Sequence, residues 1–352
     1  MVAFSAAADF QAFRVPDESI VCMKGKAKHK FASERDGAAK GMAVKMTRFY
    51  PEGALLETPH NQAIIRSAAG LAEAALEGAV VEARAVLCDA DHNLHVDMPC
   101  MGGIIPYYEG AVGIAEGTTR DIALISRVSK PVCFTVSGFE HLPDGSRRAV
   151  LSRRDAQERC RSLYLDKLSC GDIVPARVTR LETFGAFCDI GCGLPALMPI
   201  ASISVSRISH PSDRFVAGQD IYGVVSSLEN GRICLSQREL LGTWEENAAL
   251  FSQGETVAGI VRSVEDYGIF VELTPNLAGL AEPRPGVRAG QRAGVYIKSI
   301  LPEKMKLKLI LIDVEDAPGE PAPLRYYQTE GHIGQWTYSP GGCDKKIETR
   351  FG

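Results

Sequence analysis

Short stretches with an apolar residue at every second position recur along the chain, most of them bounded by glycine, whereas the three-to-four spacing of an amphipathic helix is scarce. The clearest stretch opens Gly171-Asp172-Ile173-Val174-Pro175-Ala176-Arg177-Val178 and continues in Phe184-Gly185-Ala186-Phe187-Cys188-Asp189. The same residue classes return at the same spacing in Gly254-Glu255-Thr256-Val257-Ala258-Gly259-Ile260-Val261 and Tyr267-Gly268-Ile269-Phe270-Val271-Glu272, so the unit is an internal repeat. Each alternating run predicts a half-buried strand. The glycine between two aromatics predicts a bulge or tight bend that lets a small barrel close. Arg232-Ile233-Cys234-Leu235-Ser236 and Lys306-Leu307-Lys308-Leu309 alternate again and predict the last strand of each unit.

A fainter copy lies upstream. Gly78-Ala79-Val80-Val81-Glu82-Ala83-Arg84 matches the opening, Asn93-Leu94-His95-Val96-Asp97 the second strand, and Arg148-Ala149-Val150-Leu151-Ser152 the last, with a loop or short helix expected in the longer middle, 109–130. Between consecutive units the chain runs through Arg/Gln-rich, aromatic (Tyr164, Trp244) and leucine-bearing segments that read as short amphipathic helices. The organisation expected is therefore a disordered, Lys/Ala/Gly-rich extension over 1–45 that includes Lys24, Lys26, Lys28 and Lys30, and a strand/helix segment over 46–77. Barrels follow over 78–160 (divergent), 168–240 and 252–314, and a hairpin over 324–352. Ser67 caps and Gly78 ends the expected helix of the second segment. In the hairpin, Trp336-Thr337-Tyr338 faces Lys346-Ile347-Glu348-Thr349 across Pro340-Gly341-Gly342, its aromatics sealing a neighbouring barrel.

Composition narrows the function. No apolar run approaches the ~18 residues that span a bilayer, and residues 1–11 lack the basic flank and apolar core of a secretory signal. The 10 cysteines stand singly, with no Cys-x-x-Cys pair, as reduced thiols do. A cytoplasmic protein is expected. The formal net charge of −4 gives no global attraction for a polyanion, so any nucleic-acid contact must rest on local positive charge.

The Phe-Gly-Ala-Phe-x-Asp core and the Arg-Ile-x-Leu-Ser-x-Arg ending of residues 171–238 resemble the S1 RNA-binding domain of ribosomal protein S1. The resemblance extends over 254–313 and in part over 78–154. It implies a mainly β fold of tandem five-stranded OB-type barrels joined by short helices. It also implies single-stranded RNA, mRNA in particular, as ligand, in translation and with the small ribosomal subunit as a partner. In that family the RNA face combines the two aromatics flanking the glycine, a histidine in the third strand and charged residues near the last strand. Carried over by motif position, these are Phe184, Phe187 and Arg232 in the central unit and Tyr267, Phe270 and Lys306 in the last; in the first unit they are His92, His95 and Arg148, a secondary set. The histidine itself is absent: Pro199 and Glu282 stand in its place.

Flat side chains stack on exposed bases for ~1–3 kcal/mol per base while cations follow the phosphates, and tethering several shallow faces raises the effective concentration of each. Without the resemblance, an aromatic pair on a strand reads as core and a terminal basic residue as an edge charge. The last unit is expected to lose much of its third strand to Pro283-Arg284-Pro285-Gly286. Cys88, His92, His95 and Cys100 carry the right atoms for zinc at a spacing that no common finger uses, so no metal is expected, nor any cofactor or small-molecule substrate. No phosphate-binding loop, nucleophile–base pair or carboxylate cluster is legible, which points away from an enzyme. The competing reading is a scaffold that docks on a ribosome or RNA-processing complex and binds protein more than RNA, which the acidic balance and the missing histidine favour.

Overall fold

Alternation along the chain becomes three closed barrels with one topology. The computed structural model describes residues 48–229, 231–319 and 323–351; the extension expected over 1–45 lies outside them. Helices α1 (Pro59–Ile65) and α2 (Ala68–Glu77) precede the first barrel, which contains β1 (Val81–Cys88), β2 (Leu94–Asp97), β3 (Gly103–Ile105), β4 (Pro131–His141) and β5 (Arg147–Ser152). A four-residue helix, α3 (Ile122–Ile125), lies in the insert between β3 and β4. Helix α4 (Arg153–Leu163) leads to the second barrel, with β6 (Ile173–Glu182), β7 (Gly185–Asp189), β8 (Pro195–Pro199), β9 (Asp220–Glu229) and β10 (Arg232–Ser236). Helix α5 (Trp244–Ala248) leads to the third, with β11 (Thr256–Glu265), β12 (Gly268–Thr274), β13 (Leu277–Ala281), β14 (Gln291–Leu301) and β15 (Lys306–Pro318). In each barrel the first three strands form an antiparallel meander, the fourth pairs with the first, and the fifth pairs parallel with the third. This is the five-stranded OB arrangement, in which full closure leaves no long strand edge exposed.

The alternation has the purpose the pattern suggests. Val174, Ala176, Val178, Ala186, Cys188 and Met198 point into one core, and Val261, Ile269, Val271, Val295, Ile297 and Leu309 fill the third barrel in the same way. Each valine, isoleucine, leucine or methionine among them, fully removed from water, contributes about 1.5–3 kcal/mol. Helix α4 buries Ala156 and Cys160, and Tyr164 just after its end, against the second barrel, and Ser152 caps it by accepting from the Asp155 N–H.

Three expectations are corrected. The glycine of the repeat closes a tight two-residue turn, pairing with Glu182 or Glu265, and is not itself the bulge. The bulges lie across from it in the first strands, between Ala85 and Leu87, Val178 and Arg180, and Val261 and Ser263. Gly185 is needed because a Cβ there would meet the Met198 carbonyl oxygen at 2.4 Å: β8 passes too close for any side chain. Among the described residues, 48–77 contain two helices and no strand, because Thr58 caps and Pro59 initiates α1 ahead of the expected α2. The third strand of the last unit is complete: β13 has five residues, as many as β8, and the prolines begin only after it.

Residues ahead of the first barrel staple it to the second. Glu52 receives Arg153 at 2.7 Å and Arg127 at 2.8 Å, its N–H donates to Asp189 at 2.7 Å, and its carbonyl accepts from Arg177 at 2.7 Å. Between the second and third barrels the buried Arg214 pairs with the buried Glu272, which Arg262 also holds at 2.9 Å. Asn276 ties the same junction by accepting from the Val205 N–H and donating to the Arg238 and Gly242 carbonyls. The hairpin is present as β16 (Gln335–Thr337) and β17 (Glu348–Arg350), and Trp336 and Tyr338 seal the third core.

Candidate nucleic-acid interface

The shared bulge gives the three barrels one common register. Phe187 of β7 lies across from Arg180 just beyond the bulge, Phe270 of β12 lies across from Ser263, and His95 of β2 lies across from Leu87. Cross-strand partners extend each of these into a row: Phe187–Leu197–Cys234, Phe270–Leu280–Lys308 and His95–Ile104–Val150. In a closed barrel an intermediate or exposed row faces outward, and Phe187 and Phe270 both do.

Phe184 is 54% exposed and meets Phe187 edge-to-face at 6.0 Å between ring centroids; Tyr267 is 68% exposed and meets Phe270 at 6.1 Å. Each pair presents flat ring surface to solvent. Phe187 also carries the Arg180 guanidinium over its ring at 4.9 Å, while Glu182 pairs with that guanidinium at 3.0 Å. Arg232 is exposed and shares with Phe187 an open groove of about 910 Å³ walled by Leu197, Leu228 and Ile233. The groove thus holds a ring, aliphatic floor and a cation together.

The other barrels are less complete. Lys306 is exposed at the start of β15, but Lys308, also exposed, stands in the Phe270 row itself. In the first barrel the expected residues are engaged elsewhere. His95 bonds Asp89 at 2.9 Å, which holds that carboxyl down to about 2; His92 faces Asp121 at 3.6 Å, and Arg148 pairs with Glu140 at 2.6 Å. The exposed ring there is Tyr108, packed edge-on against Tyr107 at 4.9 Å. Pro199, which stands in place of the histidine, sits directly across from Gly185. Arg180, Lys308 and Tyr108 escaped the sequence reading because cross-strand register and an insert, not motif spacing, place them. Among the described residues no group of histidine, cysteine and carboxylate side chains is arranged to hold a metal ion, and all nine described cysteines are free.

Residues 167–237 match the family described as S1 RNA binding domain. The central barrel is an S1 domain. The chain is similar to small ribosomal subunit protein bS1 of Leuconostoc lactis, to which it is 32% identical over 189 residues, covering 49% of this chain and 44% of that protein. With bS1 of Streptococcus pneumoniae (strain ATCC BAA-255 / R6) identity is 26% over 241 residues, covering 62% and 59%. A 4-hydroxy-3-methylbut-2-enyl diphosphate reductase of Clostridium acetobutylicum is 31% identical over 247 residues, but the match covers only 38% of that enzyme. The chain spans about half the length of the bS1 relatives it matches.

Proposed function

We propose that the chain binds single-stranded RNA, mRNA included, through its tandem barrels and acts without catalysis of its own, as a cytoplasmic S1-like factor in translation that associates with the small ribosomal subunit. The observation that carries this reading is Phe187 beside Arg232 in one open groove, with the exposed Phe184 edge-to-face against Phe187, an aromatic pair repeated in register by Tyr267 and Phe270. Stacked rings and an adjacent cation are what a sequence-tolerant single-strand binder needs. The S1 match and the bS1 relatives support it.

Fluorescence anisotropy with a labelled oligouridylate tests it. Phe184→Ala with Phe187→Ala is expected to weaken binding roughly tenfold or more, since each lost stack is worth about 1–3 kcal/mol. Wild-type affinity is expected to fall as salt rises. Unchanged affinity in the double variant, or no binding at low salt, overturns the reading. The scaffold reading draws on a separate observation: Tyr296, Ile310 and Ile312 are exposed on the long β14–β15 ribbon, where Tyr296 and Ile310 are cross-strand neighbours.

A further inference from the structure

The groove around Phe187 and Arg232 continues past the second barrel. Its opposite wall is the end of α4 and the turn after it, with Arg161, Leu165 and Leu168. Arg161, Leu194 and Pro195 also line a second cavity of about 530 Å³, in the crevice between the second barrel and the insert of the first, where Thr118, Thr119 and Arg127 stand. Thr179, whose hydroxyl donates to the Phe187 carbonyl at 3.0 Å, borders that crevice as well. The two hollows therefore share the wall formed by Arg161, Leu194 and Pro195.

The polar groups in this continuous channel differ in availability. Arg127 and Arg153 share the single carboxylate of Glu52, Arg127 Nε has no hydrogen-bond partner among the described residues, and the Asp189 carboxylate accepts from the Glu52, Gly191 and Gly193 N–H groups. Arg161 is exposed, and among the described residues no hydrogen bond or ion pair engages its guanidinium; Asp166 is the one exposed acid on the groove wall. Thr118 donates its hydroxyl to the Gly113 carbonyl and Thr119 to the Val112 carbonyl. Each hydroxyl has spent its proton inside the protein and offers only lone pairs outward. A ribose 2′-hydroxyl, a donor that DNA lacks, complements that pattern.

We propose, resting on the RNA-binding reading above, that the strand leaves the aromatic face over Arg161, which holds a backbone phosphate, and enters the crevice, where Thr118 and Thr119 accept from ribose 2′-hydroxyls. The first barrel then takes part through its insert, and His92 and His95 stay out of the contact. Arg161 also sits in the last turn of α4, where a cation complements the helix dipole. A purely structural role there would alter thermal stability and leave binding alone.

The test uses the full chain and labelled twelve-nucleotide oligouridylate and oligodeoxyuridylate in anisotropy titrations at several salt concentrations. Arg161→Glu is expected to weaken RNA binding roughly tenfold and to lower the salt slope by about one ion, whereas Arg161→Lys retains most of the affinity. Arg66→Glu, an exposed charge reversal on the segment between α1 and α2, serves as the control and leaves binding near wild type. Thr118→Val with Thr119→Val is expected to narrow the preference for RNA over DNA, with melting curves recorded for every variant. If Arg161→Glu matches the control while Phe184→Ala with Phe187→Ala still loses RNA, the channel is overturned and the aromatic reading stands. An unchanged RNA-to-DNA ratio in the threonine double variant overturns the 2′-hydroxyl contact, and an unaffected phenylalanine double variant overturns the RNA reading itself.

Discussion

At the scale of single residues, the junction of the first two barrels crowds three carboxyls, Glu52, Glu82 and Asp189, into a dry space with unequal compensation. Burial pushes Glu52 up, but Arg153 and Arg127 outweigh it and hold its carboxyl below the usual range. Glu82 has no such partner: burial, then the charge of Glu52, raise it to about 8, although its carboxyl accepts from the Gly53 and Leu55 N–H groups at 3.0 Å each. Asp189 is raised to about 6 by burial and by Glu52. An acid raised in the folded state keeps its proton while the unfolded chain has already released its own, so stability falls as pH climbs from the ordinary carboxylate range to the folded pKa. Below that range both states are protonated and nothing is lost. The melting temperature is therefore expected to decline from about pH 5 to about pH 8 and then level off. Glu82→Gln, which keeps a carbonyl oxygen for Gly53 and Leu55 but no charge, is expected to flatten that decline in calorimetry. An equally steep decline in the variant would locate the pH sensitivity elsewhere.

At the scale of elements, the repeat was legible because alternation and glycine placement are local, and the three barrels follow from them. What sequence could not supply was pairing. The bulges after Ala85, Val178 and Val261 exist only as a relation between two strands, so the conspicuous glycine drew the assignment instead. Its real role predicts a contrast. Gly185→Ala sets a methyl against the β8 backbone and is expected to cost about 2 kcal/mol or more in urea denaturation. Gly138→Ala in β4, where a Cβ meets nothing within 4 Å, is expected to be neutral or slightly stabilising. Equal effects would show that β8 yields easily. The candidate site divides along the same line: Phe184, Phe187 and Arg232 came from motif position, whereas Arg180 and Lys308 needed the cross-strand register, and Arg161 needed the fold of α4 against the barrel.

At the scale of the molecule, the segment beyond residue 322 acts as a strap that returns to earlier barrels. Tyr326 accepts from the Gln237 side chain at 2.7 Å and from the Tyr222 N–H at 3.2 Å, His332 meets Asp172 at 2.8 Å, and Phe351 packs with Ile173, Val224 and Leu240. Tyr326→Phe removes an acceptor from two donors in a half-buried place and is expected to cost about 1–3 kcal/mol while leaving RNA affinity as it was. Denaturant unfolding alongside anisotropy checks both halves; a loss of affinity would mean that the strap shapes the RNA face. No helix of the described residues is long and apolar enough to cross a membrane. The sequence separations across the strap, 104 residues from Tyr222 to Tyr326 and 160 from Asp172 to His332, also set a timetable for synthesis. At about 5–20 residues per second, the second barrel, complete at Ser236, emerges from the ribosome roughly 5–20 s before Tyr326, which covers its Tyr222 side. A newborn chain therefore passes through an interval in which its S1 domain is closed but uncovered, when that flank is open to chaperones and proteases that the finished protein excludes.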